Sequence, residues 1–472
     1  MLKPAIGVAQ PRAVFPPATR GALASLALPM MLSSLGTSSA NVALPTLAAV
    51  FHATFQQVQW VVLAYLLAVT SVIVGVGRLG DLVGRRRLLL AGVALFTVAS
   101  ALCALAPSLS LLLAARAAQG IGAAAMMALS MALVRDAMPQ SSRGRALGLL
   151  GTMSALGTAL GPSMGGVLMA WLGWPAIFFM NVPPGIAAFF LARNYLAPDL
   201  LNAQIRPRFD HAGTGLLAFT LAAYSLAMTL GRGSFGALNI GMLALAGSGL
   251  FGFLRIERSA AAPLVQLVMF HDRVLASSLA MSAMVSTVMM ATLVVGPFYL
   301  SHALGLGAGA IGVVLAVGPI AAALCGVPAG LGTDRFGGSR VTLAGLILLA
   351  GGALALALMP LAAGLAGYLA GIVCMTLGYA LFQTSNNIAI MARADGSQAG
   401  LVAGMLNLAR NLGLVTGATA MGSVFAHGVG TWNMLSASPD AVAHGMRMAF
   451  GAAAMMIIAA LCVALLGLRR DR

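Results

Sequence analysis

The chain has 472 residues, of which 60% are hydrophobic and only 8% charged. A soluble domain carries about 25% charged residues, so a water-facing surface is excluded and the length is counted in membrane spans of about 20 residues. The net charge of +16 would suit a nucleic-acid binder, but no nucleic-acid partner is expected. The arginines sit in short connectors between apolar runs, which is the pattern that sets membrane orientation.

Fourteen apolar runs follow in chain order, at 22–44, 58–79, 88–106, 110–134, 145–171, 175–196, 211–230, 236–254, 274–300, 308–332, 340–360, 362–390, 398–426 and 445–468. Their length, and the lack of ten-residue alternation, predicts helices rather than a barrel. With the N-terminus inside, Arg232 and Arg447 fall on the outer side, Arg116 and Arg410 fall within spans, and every other Lys or Arg is on the inner side. This alternation predicts a multi-pass protein of a bacterial inner (cytoplasmic) membrane with both termini cytoplasmic. The N-terminal tail lacks an apolar h-region, so no cleaved signal peptide is expected. Cys103, Cys325, Cys374 and Cys462 all lie inside apolar runs without metal-ligand spacing. Neither a disulfide nor a metal site is expected of them.

The segment Gly77–Arg87, GRLGDLVGRRR, returns as GLGTDRFGGSR at Gly330–Arg340, with Gly77, Asp81, Gly84 and Arg87 matching Gly330, Asp334, Gly337 and Arg340. The first copy follows the second run and the other follows the tenth, so the chain reads as two related halves, a transporter signature. The predicted fold is an all-α integral membrane protein of fourteen transmembrane helices, two six-helix bundles plus two inserted helices. Its expected divisions are a tail at 1–20, a first bundle at 21–197, a linker with the two extra helices at 198–273, a second bundle at 274–468 and a tail at 469–472.

The chain resembles the major facilitator superfamily and, within it, the fourteen-span drug:proton antiporters of the quaternary-ammonium and multidrug-resistance type. Gly77–Arg87, with Arg85, Arg86 and Arg87, looks like the superfamily's loop motif; Arg116, Gln119, Gly120 and Gly122 look like its fourth-helix motif. Gly148, Gly157, Gly161, Pro162, Gly165 and Gly166 match the antiporter motif of the fifth helix. Leu44-Pro45 and Gln59-Trp60 to Tyr65 resemble the first two helices, and Asn407–Gly417 the thirteenth. The resemblance implies that Asp81 latches the two halves by meeting a helix N-terminus of the opposite half. It also implies that the fifth-helix glycines form a flexing seam to that half, and that Arg116 belongs to a substrate and proton network.

The residues support these roles independently. A charged side chain deep in a span points to function by default, which singles out Arg116 with Gln119, and Arg410 with Asn407 and Asn411. Asn41, Tyr65 and Asn386 are further pathway candidates, with Gln383 and Asn387 beside the last. Gly157, Gly161 and Gly165 repeat every four residues, forming a smooth stripe that admits another helix. Arg85, Arg86 and Arg87 would hold the latch or bind anionic lipid headgroups. The bland alternatives are topology control for the loop arginines and carbonyl bonding for Arg116.

One departure shapes the functional expectation. The ten carboxylates all fall outside the apolar runs, and Gly36 stands where the resembled family has an aspartate. A cavity with Arg116 and Arg410 and no carboxylate repels cations. The expected substrate is therefore a neutral or anionic lipophilic small molecule. Arginine does not release a proton, which leaves Asp81, Asp136 or the substrate itself to carry one; the histidines, His302 among them, fall in connectors. The sequence predicts an efflux transporter working by alternating access as a proton antiporter, with a facilitated or uptake carrier as the alternative. No cofactor is expected, the proton gradient being the energy source. The partners expected are substrate and membrane lipid, with the chain a monomer and a periplasmic adaptor left open. A membrane enzyme is not expected, because no cluster of nucleophilic or acid–base groups shares one depth.

Overall fold

A computed structural model describes residues 17–139, 143–199, 211–229, 236–259, 272–393, 399–431 and 434–470. Parts of the expected tails and linker thus lie outside the described residues. The regular structure among the described residues is helical. The first bundle comprises α1 (Pro17–Val50), α2 (Phe55–Val83), α3 (Arg85–Ala104), α4 (Leu109–Ala137), α5 (Arg143–Leu172) and a broken sixth crossing, α6 (Ala176–Phe179) with α7 (Val182–Tyr195). Two further helices, α8 (His211–Thr229) and α9 (Ala237–Ser259), pack on each other. The second bundle comprises α10 (Arg273–Phe298), α11 (Ala308–Phe336), α12 (Gly338–Leu358), α13 (Gly364–Arg393), α14 (Ala399–Thr416) continued by α15 (Gly422–Val429), and α16 (Pro439–Arg470). Thirteen of these crossings are long and apolar enough for a membrane, and Gly215–Ala227 within α8 is a shorter apolar helix. The fourteen expected spans are all helical.

Lipid offers no partners to backbone N–H and C=O groups, so the helices satisfy their own and leave their ends to be capped where water reaches. Thr54 and Gln57 form a reciprocal capping box at the start of α2, Ser108 caps α4 and Asp272 caps α10. The two ends of the molecule are named here by Gly84, at the turn between α2 and α3, and by Phe55, at the start of α2.

The two halves share one pairing scheme. In the first, α1 packs on α5 and α7, α2 on α4, and α3 on α4 and α7; in the second, α10 packs on α14 and α16, α11 on α13, and α12 on α13 and α16. The glycine contacts repeat as well. A methyl added to Gly157 would strike the Met31 carbonyl of α1, and one added to Gly413 would strike the Ala283 carbonyl of α10. Gly161 abuts Ser38 of α1, and Gly417 abuts the Thr287 carbonyl of α10.

Two expectations are corrected. The predicted connector Gly77–Arg87 is mostly helix: α2 runs to Val83, and the reversal is made by Gly84 alone, at φ 105°. Gly337 does the same for the copy, at φ 86°. Only glycine enters that region without strain, so one residue suffices and the helices extend beyond their apolar runs. His302, expected in a connector, lies in a π-helical turn, Tyr299–Ala303, that prolongs α10. A second π-turn, Gly417–Met421, separates α14 from α15.

Because the same close approach is used twice, Gly157→Val and Gly413→Val are each expected to destabilise the protein, by about 3 kcal/mol. Gly351, which has open space where a Cβ would stand, should accept valine unchanged. Thermal unfolding of the detergent-solubilised variants measures this.

Candidate functional site

Arg116 on α4 is fully buried inside the first bundle. Its Nε donates to the Val61 carbonyl of α2 at 2.8 Å, and its Nη1 donates to the Gly36 carbonyl of α1 at 3.0 Å and to Gln119 Oε1 at 2.6 Å. Gln119 Nε2 in turn donates to Ser100 Oγ of α3 at 2.7 Å. The guanidinium lies 4.4 Å from the Tyr65 ring centroid and 5.8 Å from that of Phe178, and the Tyr65 hydroxyl donates to the Ser33 carbonyl at 2.6 Å. One cation therefore clasps α1, α2 and, through Gln119, α3. Gly36 contributes its carbonyl where a carboxylate was absent from the sequence. Arg116 Nη2 is buried without a hydrogen-bond partner among the described residues.

The second arginine is placed differently. Arg410 on α14 is only partly buried, and its Nη2 stands 3.4 Å from the Tyr379 hydroxyl of α13. Three residues earlier on the same helix face, Asn407 Nδ2 reaches Met131 Sδ of α4 at 3.9 Å, so this face of α14 looks towards the first bundle. Asn386 is buried within the second bundle, bonded to Ser282 Oγ at 2.9 Å and the Ser278 carbonyl. Asn41 is buried and bonds back to the Thr37 and Ser38 carbonyls of its own helix. Thus Arg116, Gln119 and Tyr65 form one cluster and Arg410 and Asn407 share a second place, while Asn41 and Asn386 belong to neither. Tyr379 was not singled out in the sequence, because nothing in the spacing of an apolar helix marks one tyrosine as the neighbour of an arginine 31 residues away.

The glycine stripe is also reassigned. Gly157, Gly161 and Gly165 face α1 of their own half, not the opposite half. The contact with the other half is made one face over. Gly166 lies against Gly312 of α11, the Pro162 carbonyl is 2.8 Å from where a Gly312 methyl would stand, and Ala170 meets Gly309. The pseudo-equivalent seam joins α14–α15 to α2, where Gln59 Nε2 donates to the Ala418 carbonyl and Gly422 makes room for the amide. Beside it the Phe55 ring packs on Phe298 and Phe425, with centroids 4.9 and 5.4 Å apart. Both seams lie toward the Phe55 end.

At the Gly84 end, the Asp81 side chain lies outside the described residues. The carboxylate seen there is Asp199, which follows α7: its oxygens accept from the Arg86 N–H at 2.9 Å and the Arg87 N–H at 3.0 Å. These are orphan donors of the α3 N-terminus, and Gly84 has no side chain with which to cap them. Arg85 pairs with Asp136 of α4 at 2.8 Å on the surface, Arg86 donates to the Arg193 carbonyl at 2.6 Å, and Asp334 of the copy is exposed. Asp199 thus caps the α3 N-terminus within one half, while the expected Asp81 latch to the opposite half lies outside the described residues. Glu257, placed outside the spans by the sequence, is buried in the last turn of α9.

Paired bundles, a repeated packing scheme and, among the described residues, intramembrane arginines without carboxylate partners define a membrane transporter. Residues 26–418 match the model of the Major Facilitator Superfamily, and the chain belongs to that superfamily. It is 31% identical over 97% of its length to the uncharacterized transporter YebQ of Escherichia coli, covering 97% of that protein. It is 31% identical to the riboflavin transporter RibZ of Clostridioides difficile, covering 86% of this chain and 87% of that one. It is 33% identical to the multidrug resistance protein Stp of Mycobacterium tuberculosis, covering 82% and 72%. Among solved structures, it resembles a bacterial homologue of the human lysosomal transporter Spinster in an inward-facing, unoccupied conformation, with a TM-score of 0.69, 16% identity and 97% and 98% coverage. The protein is a multi-pass membrane transporter of a small molecule, and not an enzyme.

Replacing Arg116 by leucine removes the donors that tie three helices together and should cost about 3 kcal/mol. Lysine should rescue little, because it cannot reproduce the guanidinium fork. Asp199→Asn should cost about 1 kcal/mol, as the loss of a charged helix cap does. Thermal unfolding reads both.

Proposed function

We propose that the protein exports lipophilic small molecules across a bacterial inner membrane by alternating access, with protons exchanged for substrate. The observation that carries this reading is the pair of pseudo-equivalent seams toward one end of the molecule: Pro162 and Gly166 on Gly312, and Ala418 and Gly422 on Gln59. Two bundles joined there rock about that end when the seams part. The arginine-rich Gly84 end is assigned to the cytoplasm, which makes the sealed end the outer one. The multidrug resistance protein among the relatives supports export.

The substrate is neutral or anionic rather than cationic. Among the described residues neither Arg116 nor Arg410 has a carboxylate partner, so a cation entering between the bundles meets uncompensated positive charge. A relative that carries riboflavin is in keeping with a neutral substrate. For the proton, Asp136 lies 20 residues beyond Arg116 on α4, about 30 Å along the helix, so coupling through it would act at the Gly84 end. A second reading, a carrier without proton exchange, is favoured by the same lack of a carboxylate beside Arg116. The divisions 1–20, 21–197, 198–273, 274–468 and 469–472, a monomeric state and lipid contact at Arg85–Arg87 complete the proposal.

The expected outcome is that deletion sensitises, and overexpression protects, cells against acidic or neutral lipophilic inhibitors more than against dicationic dyes. Preferential protection against the dyes would overturn the substrate assignment. In proteoliposomes, substrate addition should move protons; transport with no proton movement would establish the carrier instead.

A further inference from the structure

Arg116 and Arg410 are both intramembrane arginines, yet their donors are used very differently. Arg116 is fully buried and spends its Nε and Nη1 on backbone carbonyls and Gln119. Arg410 is partly exposed, and among the described residues its hydrogen-bond partner is the Tyr379 hydroxyl at 3.4 Å. It stands 11 residues into α14 from Ala399, about 17 Å along the helix axis. A guanidinium carries five N–H donors in a planar fork that matches a carboxylate. Most of that fork is uncommitted, at a depth where an unpaired charge is strongly disfavoured.

The surroundings specify more than a charge. Asn407 shares the helix face and reaches Met131 of the opposite bundle, which places Arg410 where the bundles face each other. Tyr379 adds an aromatic ring and a hydroxyl, and Met131 a polarisable thioether. A planar aromatic group beside a fork of free donors is matched by an aromatic carboxylate, ring on the apolar side and carboxylate on the guanidinium.

We propose that Arg410, positioned by Tyr379 and with Asn407 on the same helix face, forms the subsite that receives the carboxylate of an aromatic acid. Arg116 then holds the first bundle together and does not touch the substrate. This assignment rests on the neutral-or-anionic substrate reading above and sharpens it.

The test uses the full-length protein in nanodiscs and two probes of one shape, 1-naphthoate and neutral 1-naphthamide, with binding followed by calorimetry. Arg410→Gln should weaken naphthoate about tenfold or more and naphthamide by less than about twofold. Arg410→Lys should fall between, because it keeps the charge and loses the fork. Tyr379→Phe should cost naphthoate about threefold at most. Equal losses of both probes, together with a lowered unfolding temperature, would show a structural arginine and overturn the assignment. Unchanged naphthoate binding in Arg410→Gln would overturn it while leaving the substrate reading intact. Wild-type protein that binds naphthamide and not naphthoate would also overturn it, with neutral substrates still standing. Binding of neither probe, with cellular protection confined to dicationic dyes, would remove both.

Discussion

The structure depends on helix backbones approaching one another closely in a solvent that gives apolar side chains no reason to associate. Lipid tails are as apolar as leucine, so helices hold together through van der Waals contact and hydrogen bonds. Contact is greatest where no Cβ stands between two backbones. Gly157 and Gly161 of α5 against α1, and Gly413 and Gly417 against α10, supply that condition once in each half. The repeated pairing of helices follows from it: the line of glycines sets which face of α5 or α14 turns inward, and the neighbours then fill the remaining sides.

The two halves nevertheless interrupt the backbone ladder of their glycine helices by different means at the same place. In α5, which runs on from Arg143 to Leu172, one bond is lost at Pro162, which has no N–H. In the pseudo-equivalent helix the interruption is the π-turn Gly417–Met421, which shifts the bonding ladder and leaves a carbonyl without its ordinary partner. The consequences differ across the seam. Pro162 and Gly166 present bare backbone to Gly312, a contact of shape alone, whereas Ala418 offers its carbonyl to the Gln59 amide. One seam is a contact of shape and the other carries a directional bond. Parting the two halves at the Phe55 end would break the second and would need only to separate the first.

Much of this was legible in the sequence, and the limits are physical. Run length and arginine placement gave fourteen helices, and the duplicated Gly-x-x-x-Asp-x-x-Gly pattern gave the two halves, because both are one-dimensional properties. The pattern also located the single-residue turns at Gly84 and Gly337, though not that the helices run right up to them. What the sequence could not give was facing. Glycines 157, 161 and 165 read as a stripe, but a stripe does not say which neighbour it meets, and the inter-bundle contact proved to lie on the Pro162–Gly166–Ala170 line instead. Asp199 was visible as a carboxylate after the sixth span; that it folds back on the Arg86 and Arg87 amides depends on the tertiary course of α7. Tyr379 carried no signal at all.

The two arginines show why burial alone is a poor guide to function in a membrane. Depth marked both as costly, and cost was the argument for a role. Arg116 offsets most of its own cost: two carbonyls and a glutamine accept from its Nε and Nη1, Tyr65 lies under its face, and all of these partners belong to one bundle. Such a residue can be indispensable without ever meeting a substrate. Among the described residues Arg410 leaves most of its donors unanswered, and it sits where the halves face each other. The useful measure is therefore not how deep a charge lies but how many of its hydrogen bonds the protein has already filled, because only the remainder is available to something that arrives and leaves.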